Sequence, residues 1–219
     1  MSDPDLWLHE PPRSGADPAA FDDLLDRALA AGSAHPIDYE LDAPRWEFLQ
    51  HAIDRGGILL HGSNDPEIRV LETRPADDVR GFGAQTAVYA ASDAIWAMYF
   101  AIVDRSRPVS LLNGCSHRLG ETTEPLWFFS VSQSALDRGA WRDGTVYLLP
   151  AQTFVRDDDV IRDGVRYEQQ QLASLTSVRP LAKLRVTPAD FPFLDRVVGH
   201  DPETVRARAI ADPDAFPWL

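Results

Sequence analysis

The chain has 219 residues, of which 44% are hydrophobic and 10% aromatic, enough to bury the core of one large domain and to exclude a wholly disordered chain. Acidic residues outnumber basic ones 34 to 21, and the formal net charge of -13 argues against non-specific attraction to nucleic-acid backbones or anionic lipid. The one cysteine, Cys115, excludes an internal disulfide, and the sequence has neither an apolar run of about 18 residues nor a basic-then-apolar start, so it reads as cytoplasmic with no membrane partner.

Along the chain, the first 17 residues are rich in Pro, Asp and Ser and read as a loose arm. Asp17 and Pro18 then fit a helix start, and Phe21, Leu24, Leu25, Ala28 and Leu29 recur at helical spacing up to Gly32. A second helix is predicted after Asp42, with Pro44 in its first turn, Trp46, Leu49, Ala52 and Ile53 on one face, and Gly56 and Gly57 as its stop.

Beyond the glycine pair, short apolar runs bounded by Gly, Pro, Asn and Asp predict strands. They are Ile58 to Ser63, Ile68 to Leu71, Ala87 to Ala91, Trp127 to Ser132, Thr145 to Leu149, Val165 to Ala173 and Lys183 to Val186. Ala94 to Val103 is apolar on nearly every side and follows Asp93, a good cap, so it reads as a buried helix. Helices followed by a mainly antiparallel sheet with one central helix make the class α+β. The organisation is an amino-terminal arm and helical element over 1–55 and an α+β domain over 56–219. Ser110 to Pro125 reads as a polar loop in which His117 and Arg118 could meet a phosphate or a protein. Trp141 to Pro150 reads as a hairpin return, with Asp143 and Gly144 in its turn and Tyr147 and Trp141 as packing residues. Pro188 to Leu194 and the terminal Phe216, Pro217 and Trp218 read as apolar docking segments.

Two segments carry candidate chemistry. Gly56 to Ile68, GGILLHGSNDPEI, puts His61 at the end of an apolar strand, with Gly62 and Ser63 at the turn. Gly62 would let a ligand approach the backbone, and the imidazole can hydrogen-bond a hydroxyl without changing charge. Gly83 to Phe100, GAQTAVYAASDAIWAMYF, gives a turn, a strand bearing Tyr89 and the buried helix. The six histidines show no paired ligand spacing, so no metal is expected. There is also no Gly-x-Ser-x-Gly elbow and no phosphate-cradling glycine loop.

A strand ending in His-Gly-Ser, then an apolar-Tyr-Ala strand, then a helix entered through Ser-Asp resembles the ADP-ribosyltransferase fold of the His-Tyr-Glu class, over roughly residues 56 to 187. The resemblance implies an NAD-dependent transferase with a split, mainly antiparallel sheet. In it His61 would hold the adenosine-side ribose, the Gly62 backbone would grip the nicotinamide amide with Ser63 beside it in the cofactor site, and Tyr89 would stack on the nicotinamide ring. Tyr99 or Phe100 would close the other face of the ring. The imidazole and the phenol would then stand on the walls of one crevice. The family's acid falls just before an apolar-x-Ser stretch. Aligned on Ala173, Ser174 and Val178 to Pro180, that position is Gln171, with Glu168 three residues earlier and on the opposite face of a regular strand. An amide cannot supply the fixed anion that steadies a ribosyl cation. Two functions are therefore carried forward: transfer of ADP-ribose to an unknown acceptor (protein, nucleic acid or small molecule), or NAD hydrolysis; and a catalytically degenerate ligand-sensing or protein-interaction module. A sugar- or nucleotide-modifying enzyme on another half-barrel is a third, favoured if His61 and Tyr89 lie far apart.

Overall fold

In the computed structural model, which describes residues 6–75, 82–213 and 215–219, Asp17 caps the first helix by accepting from the Ala19 amide at 3.0 Å. That helix, α1 (Pro18–Ala30), buries Phe21, Leu24, Leu25 and Ala28. Helix α2 (Arg45–Asp54) buries Trp46, Phe48, Leu49 and Ala52, and Pro44 stands at its cap instead of inside its first turn. Gly56 and Gly57, with φ of 88° and 77°, then turn the chain through the left-handed region that other residues avoid.

The remaining elements, in chain order, are β1 (His35–Pro36), which precedes α2, then β2 (Ile58–Ser63), β3 (Arg74–Pro75), β4 (Thr86–Ala91), α3 (Ala94–Ile102), β5 (Leu111–Leu119), β6 (Glu124–Ser132), α4 (Gln133–Leu136), β7 (Gly144–Pro150), β8 (Val155–Arg156), β9 (Val160–Arg162), β10 (Val165–Gln169), β11 (Gln171–Ser174), β12 (Ala182–Val186), β13 (Val198–His200) and α5 (Pro202–Ala211). They make an α+β fold with two sheets. The larger runs β1-β12-β7-β2-β4-β11-β8, with β3 pairing β4 beside it, and the smaller runs β13-β6-β5-β10-β9. Neighbours are antiparallel except β1 with β12 and β13 with β6.

Helix α3 is apolar all round because it lies between the sheets. Its Tyr99 hydroxyl donates to Ser130 O of β6 at 2.9 Å, and Trp96 Nε1 donates to Asn113 Oδ1 of β5 at 2.6 Å. On its other side it meets two glycines of the large sheet. A β-carbon at Gly62 would stand 2.0 Å from Ala97 O, and one at Gly144 would stand 1.9 Å from Ala101 O. Leu60, Ala91, Val146, Leu148 and Leu184 from the large sheet, Trp127, Phe129 and Val131 from the small one, and side chains of α1, α2 and α3 fill one continuous core. The two amino-terminal helices thus share the core of the sheets. Leu59, Val88, Ala90, Tyr147, Leu149 and Leu172 form a second cluster on the outer face of the large sheet.

Several expectations are corrected. Ile68 to Leu71 is not a strand: Leu71 alone makes a bridge, to Val178. The supposed loop over 110–125 is β5 and the start of β6, paired from Leu111↔Val131 to Arg118↔Glu124. Gly144 sits in a strand, not a hairpin turn, because β7 runs between β12 and β2 with Gly144 opposite Val186. Val165 to Ala173 is two strands: Gln170, 1% exposed, carries the chain from the small sheet into the large one. Within the described part of the amino-terminal arm, Leu8 exchanges main-chain hydrogen bonds with Trp127 (2.8 and 3.0 Å), and the buried Glu47 carboxylate accepts from Ser14 N and Oγ (2.6 and 2.7 Å), so the arm is docked. Residues 1–5 of that arm lie outside the described residues.

Candidate functional site

His61 and Tyr89 arrive on neighbouring strands. Strands β2 and β4 are paired only at Leu60↔Ala91 and part beyond that point. On its other edge β2 stays in full register with β7, from Ile58↔Pro150 to Ser63↔Thr145, so it is β4 that diverges. At the far end of β4, β3 takes the vacated side, with Arg74 opposite Ala87 and Pro75 opposite Thr86. The result is a gap in strand pairing, called the slot below, between Leu60 and Arg74 along β4 residues 88–90.

The His61 imidazole spans this slot. Its Nδ1 lies 2.7 Å from Tyr89 O, and since a carbonyl can only accept, Nδ1 carries the proton. Burial lowers the pKa of the ring. Its bond to Tyr89 works against that shift, and the charges of Arg105 and Arg74 add to it. The neutral ring therefore has its donor committed and its Nε2 lone pair as an acceptor.

Both His61 and Tyr89 are partly exposed, but the expectation that imidazole and phenol stand on the walls of one crevice is not met, because they leave opposite faces of the sheet. Leu60 and Ala91 face α3, so alternation sends His61 to the outer face with Leu59 and its cross-strand partner Tyr147, and sends Tyr89 to the α3 face. They meet through the Tyr89 main chain, at the edge of the slot. The Tyr89 hydroxyl is held by the preceding turn, accepting from Gln85 N at 2.9 Å with Phe82 O at 3.0 Å.

Gly62 also faces α3, and its missing side chain admits the helix backbone at Ala97 and Ala101 instead of the ligand expected there. Ser63 Oγ accepts from Asp65 N at 3.1 Å and shapes the turn after β2. Of the two helix aromatics, Tyr99 is fully buried among Phe100, Phe129, Trp141 and Phe191, and this sealing pushes its pKa up. Its ring is part of the core and cannot cover a ligand. Phe100 is partly exposed, stands on the same side of the sheet as Tyr89 and carries the Arg105 guanidinium 5.2 Å above its ring.

The two acid-position candidates separate. Gln171 pairs with Ala91, which pairs with Leu60, so Gln171 lies two strands, roughly 10 Å, across from the start of the slot, on the Tyr89 face. Glu168 belongs to β10 in the other sheet, opposite His117. Its Oε2 accepts from Gln170 Nε2 at 3.1 Å and lies 3.8 Å from Arg156 Nη1. Arg156 and Gln170 also bond Ser92, the residue that follows β4. Sequence reasoning passed over this cluster, and over Asn64, Arg74 and Arg105 beside the slot. Arginines and amides scattered over 64–170 carry no motif, and only the sheet crossing brings them together.

His117 faces inward, with Nε2 buried and unbonded 3.9 Å from Asp93 Oδ2, which makes it a junction residue between sheets and not a loop group meeting phosphate. Among the described residues no group of three or more His, Cys, Asp or Glu could hold a metal ion, and no helix is long and apolar enough to cross a membrane. Two concavities of about 220 and 540 Å³ lie beside α1 and α2, away from His61. No protein-family model matches the chain, and neither does any curated protein or solved structure.

Proposed function

We propose that the chain is an NAD-binding protein of ADP-ribosyltransferase type, with the dinucleotide entering the slot between β2 and β4. The observation that carries this is the His61 imidazole at the point where the strands part. With Nδ1–H spent on Tyr89 O, its Nε2, which has no partner among the described residues, is an acceptor for a ribose hydroxyl. The two side chains leave opposite faces of the sheet, and His61 meets only the main chain of Tyr89. On the α3 side, Tyr89 and Phe100 would offer aromatic surface to a nicotinamide ring. Tyr99 has no part in the site.

A second reading, binding without turnover, is favoured by one specific observation: Gln171, at the family's acid position, carries no charge, and Glu168 lies in the other sheet, paired opposite His117. Isothermal titration with NAD tests the site. Heat that disappears in His61→Ala, with the fold retained by circular dichroism, supports it, and no heat from the wild type at millimolar NAD removes it. Nicotinamide release then separates transferase or hydrolase from sensor.

A further inference from the structure

The last part of the chain closes the face of the small sheet that points away from α3. Strand β13 adds three parallel residues to β6, from Val198↔Ser130 to His200↔Ser132. Helix α5 follows and buries no residue, and its Val205 and Ala209 pack against the cluster of Leu112, Phe128 and Trp218. Beyond it Phe216 meets Phe128 and Trp7.

One side chain ties this segment to both neighbouring strands. His200, 4% exposed, sets Nδ1 2.6 Å from Ser130 Oγ on β6 and Nε2 3.0 Å from Ser110 Oγ at the start of β5. Ser130 is wholly buried, and its hydroxyl has no other acceptor among the described residues. That hydroxyl therefore donates to Nδ1, and Nε2–H donates to Ser110. A proton added to the ring lands on Nδ1 and leaves two donors facing each other across the shorter bond. The Ser130 hydroxyl must then turn away with its own proton unbonded, around a charge that burial desolvates. Neighbouring elements offer this charge little. Strands β5 and β6 present the hydroxyls of Ser110, Ser130 and Ser132, and the Tyr99 hydroxyl of α3 is spent on Ser130 O. Helix α4 sets Gln133 against Gly199, while Asp137 and Arg138 bond Gln133 and Pro108 O. Glu203 is exposed in the first turn of α5. The field of Asp201 does reach the ring, but its carboxylate is committed to Thr204 N and Oγ1 at 2.9 and 2.7 Å.

We propose that protonation of His200 unclasps the segment from Val198 onward as a flap, baring the apolar face of Leu112 and Phe128 while the rest of the fold stays closed. The flap leaves first because its own hold is thin. It has three ladder pairs and a helix that buries nothing, against the long registers of β2 with β7 and β5 with β6. Burial lowers the pKa of His200 from its ordinary 6.5, opposed by Asp201, so the clasp is whole above about pH 6.5 and weakens as pH falls through the docked value.

The test is hydrogen exchange of the full chain, corrected for intrinsic rates, on wild type and His200→Gln at about pH 7.5 and about pH 5. In wild type, acidification should lower protection from Val198 onward at least about fivefold more than protection in β7. In His200→Gln, whose amide does not ionise, the two regions should change alike. Equal changes in wild type, or the same excess loss in His200→Gln, overturn the proposal. If His200→Gln leaves the segment unprotected at both pH values, NMR of the wild type decides. An opening midpoint that follows the titration of the His200 ring supports the flap, and a midpoint set elsewhere overturns it.

Discussion

The carbonyl oxygen of Tyr89 takes a hydrogen bond from the imidazole of His61, 2.7 Å away, at the place where β2 and β4 stop pairing. A side chain thus occupies the mouth of a gap in the sheet, and the protonation state of that side chain belongs to the architecture of the slot.

The first prediction concerns pH. Burial holds the pKa of His61 below its ordinary 6.5, and His200, bonded to Ser130 and Ser110, is lowered by burial too. The unfolded chain therefore takes up these protons first. The stability tied to each neutral ring is whole above about pH 6.5 and declines as pH falls toward the folded-state value. Urea unfolding at about pH 7.5, 6 and 5 should show His61→Gln losing less stability on acidification than wild type. Equal losses would show that His61 titrates alike in both states.

A second prediction concerns the glycines beneath α3. Because β-carbons at Gly62 and Gly144 would meet helix backbone atoms at 2.0 and 1.9 Å, no rotamer change can relieve the clash. Gly62→Ala and Gly144→Ala should each cost about 3 kcal/mol or more. A loss under about 1 kcal/mol in denaturant unfolding would mean that α3 shifts freely, and the slot would not be a rigid site.

The elements most legible in the sequence are those whose signals are local. The run Ile58 to Ser63 is the observed β2, and Asp17 and Asp93 cap the helices expected of them. Strand β5 was hidden because Gly114, Ser116, His117 and Arg118 look like loop residues, whereas the strand gains its stability from eight-residue pairing with β6 and from β10. Sequence reasoning passed over helix α5, capped by Asp201, because it buries no residue and so shows no apolar periodicity. The break at Gln170 has no local signal at all, since it is set by Ser92 and Cys115, far away in the chain, bonding to its main chain. In the site, the His-Gly and Tyr-Ala segments could be read, but not the faces they occupy. A strand's side chains alternate predictably only once the register is known, and β2 and β4 share a single pair.

A third prediction concerns the segment leaving the slot. Tyr147, fully buried opposite His61, donates to Asp65 O at 2.7 Å and accepts from Ile68 N at 3.1 Å, and burial pushes its pKa up to about 12. Tyr147→Phe keeps the ring but orphans both main-chain groups, a loss of about 1–3 kcal/mol. Hydrogen exchange at the Ile68 amide should accelerate more than exchange at Leu60. Equal acceleration at both amides would indicate a global effect and would deny Tyr147 a local hold on residues 65–68.

The last prediction separates Gln171 from Glu168. If NAD occupies the slot, positive charge develops on its ribose as nicotinamide leaves, and Gln171, on the Tyr89 face two strands from His61, offers only an amide there. Gln171→Glu adds a carboxylate on that face, and nicotinamide release should rise at least about tenfold over wild type, since fixed charge at a developing cation commonly changes rates by orders of magnitude. Glu168→Gln should leave release unchanged, because that carboxylate is held by Gln170 and Arg156 in the other sheet. Abolished release in Glu168→Gln, with no gain in Gln171→Glu, would reverse the assignment. It would require the chain at Gln170 to re-register when ligand binds, an event visible as altered exchange at the Ser92 amide, whose acceptor is Gln170 O.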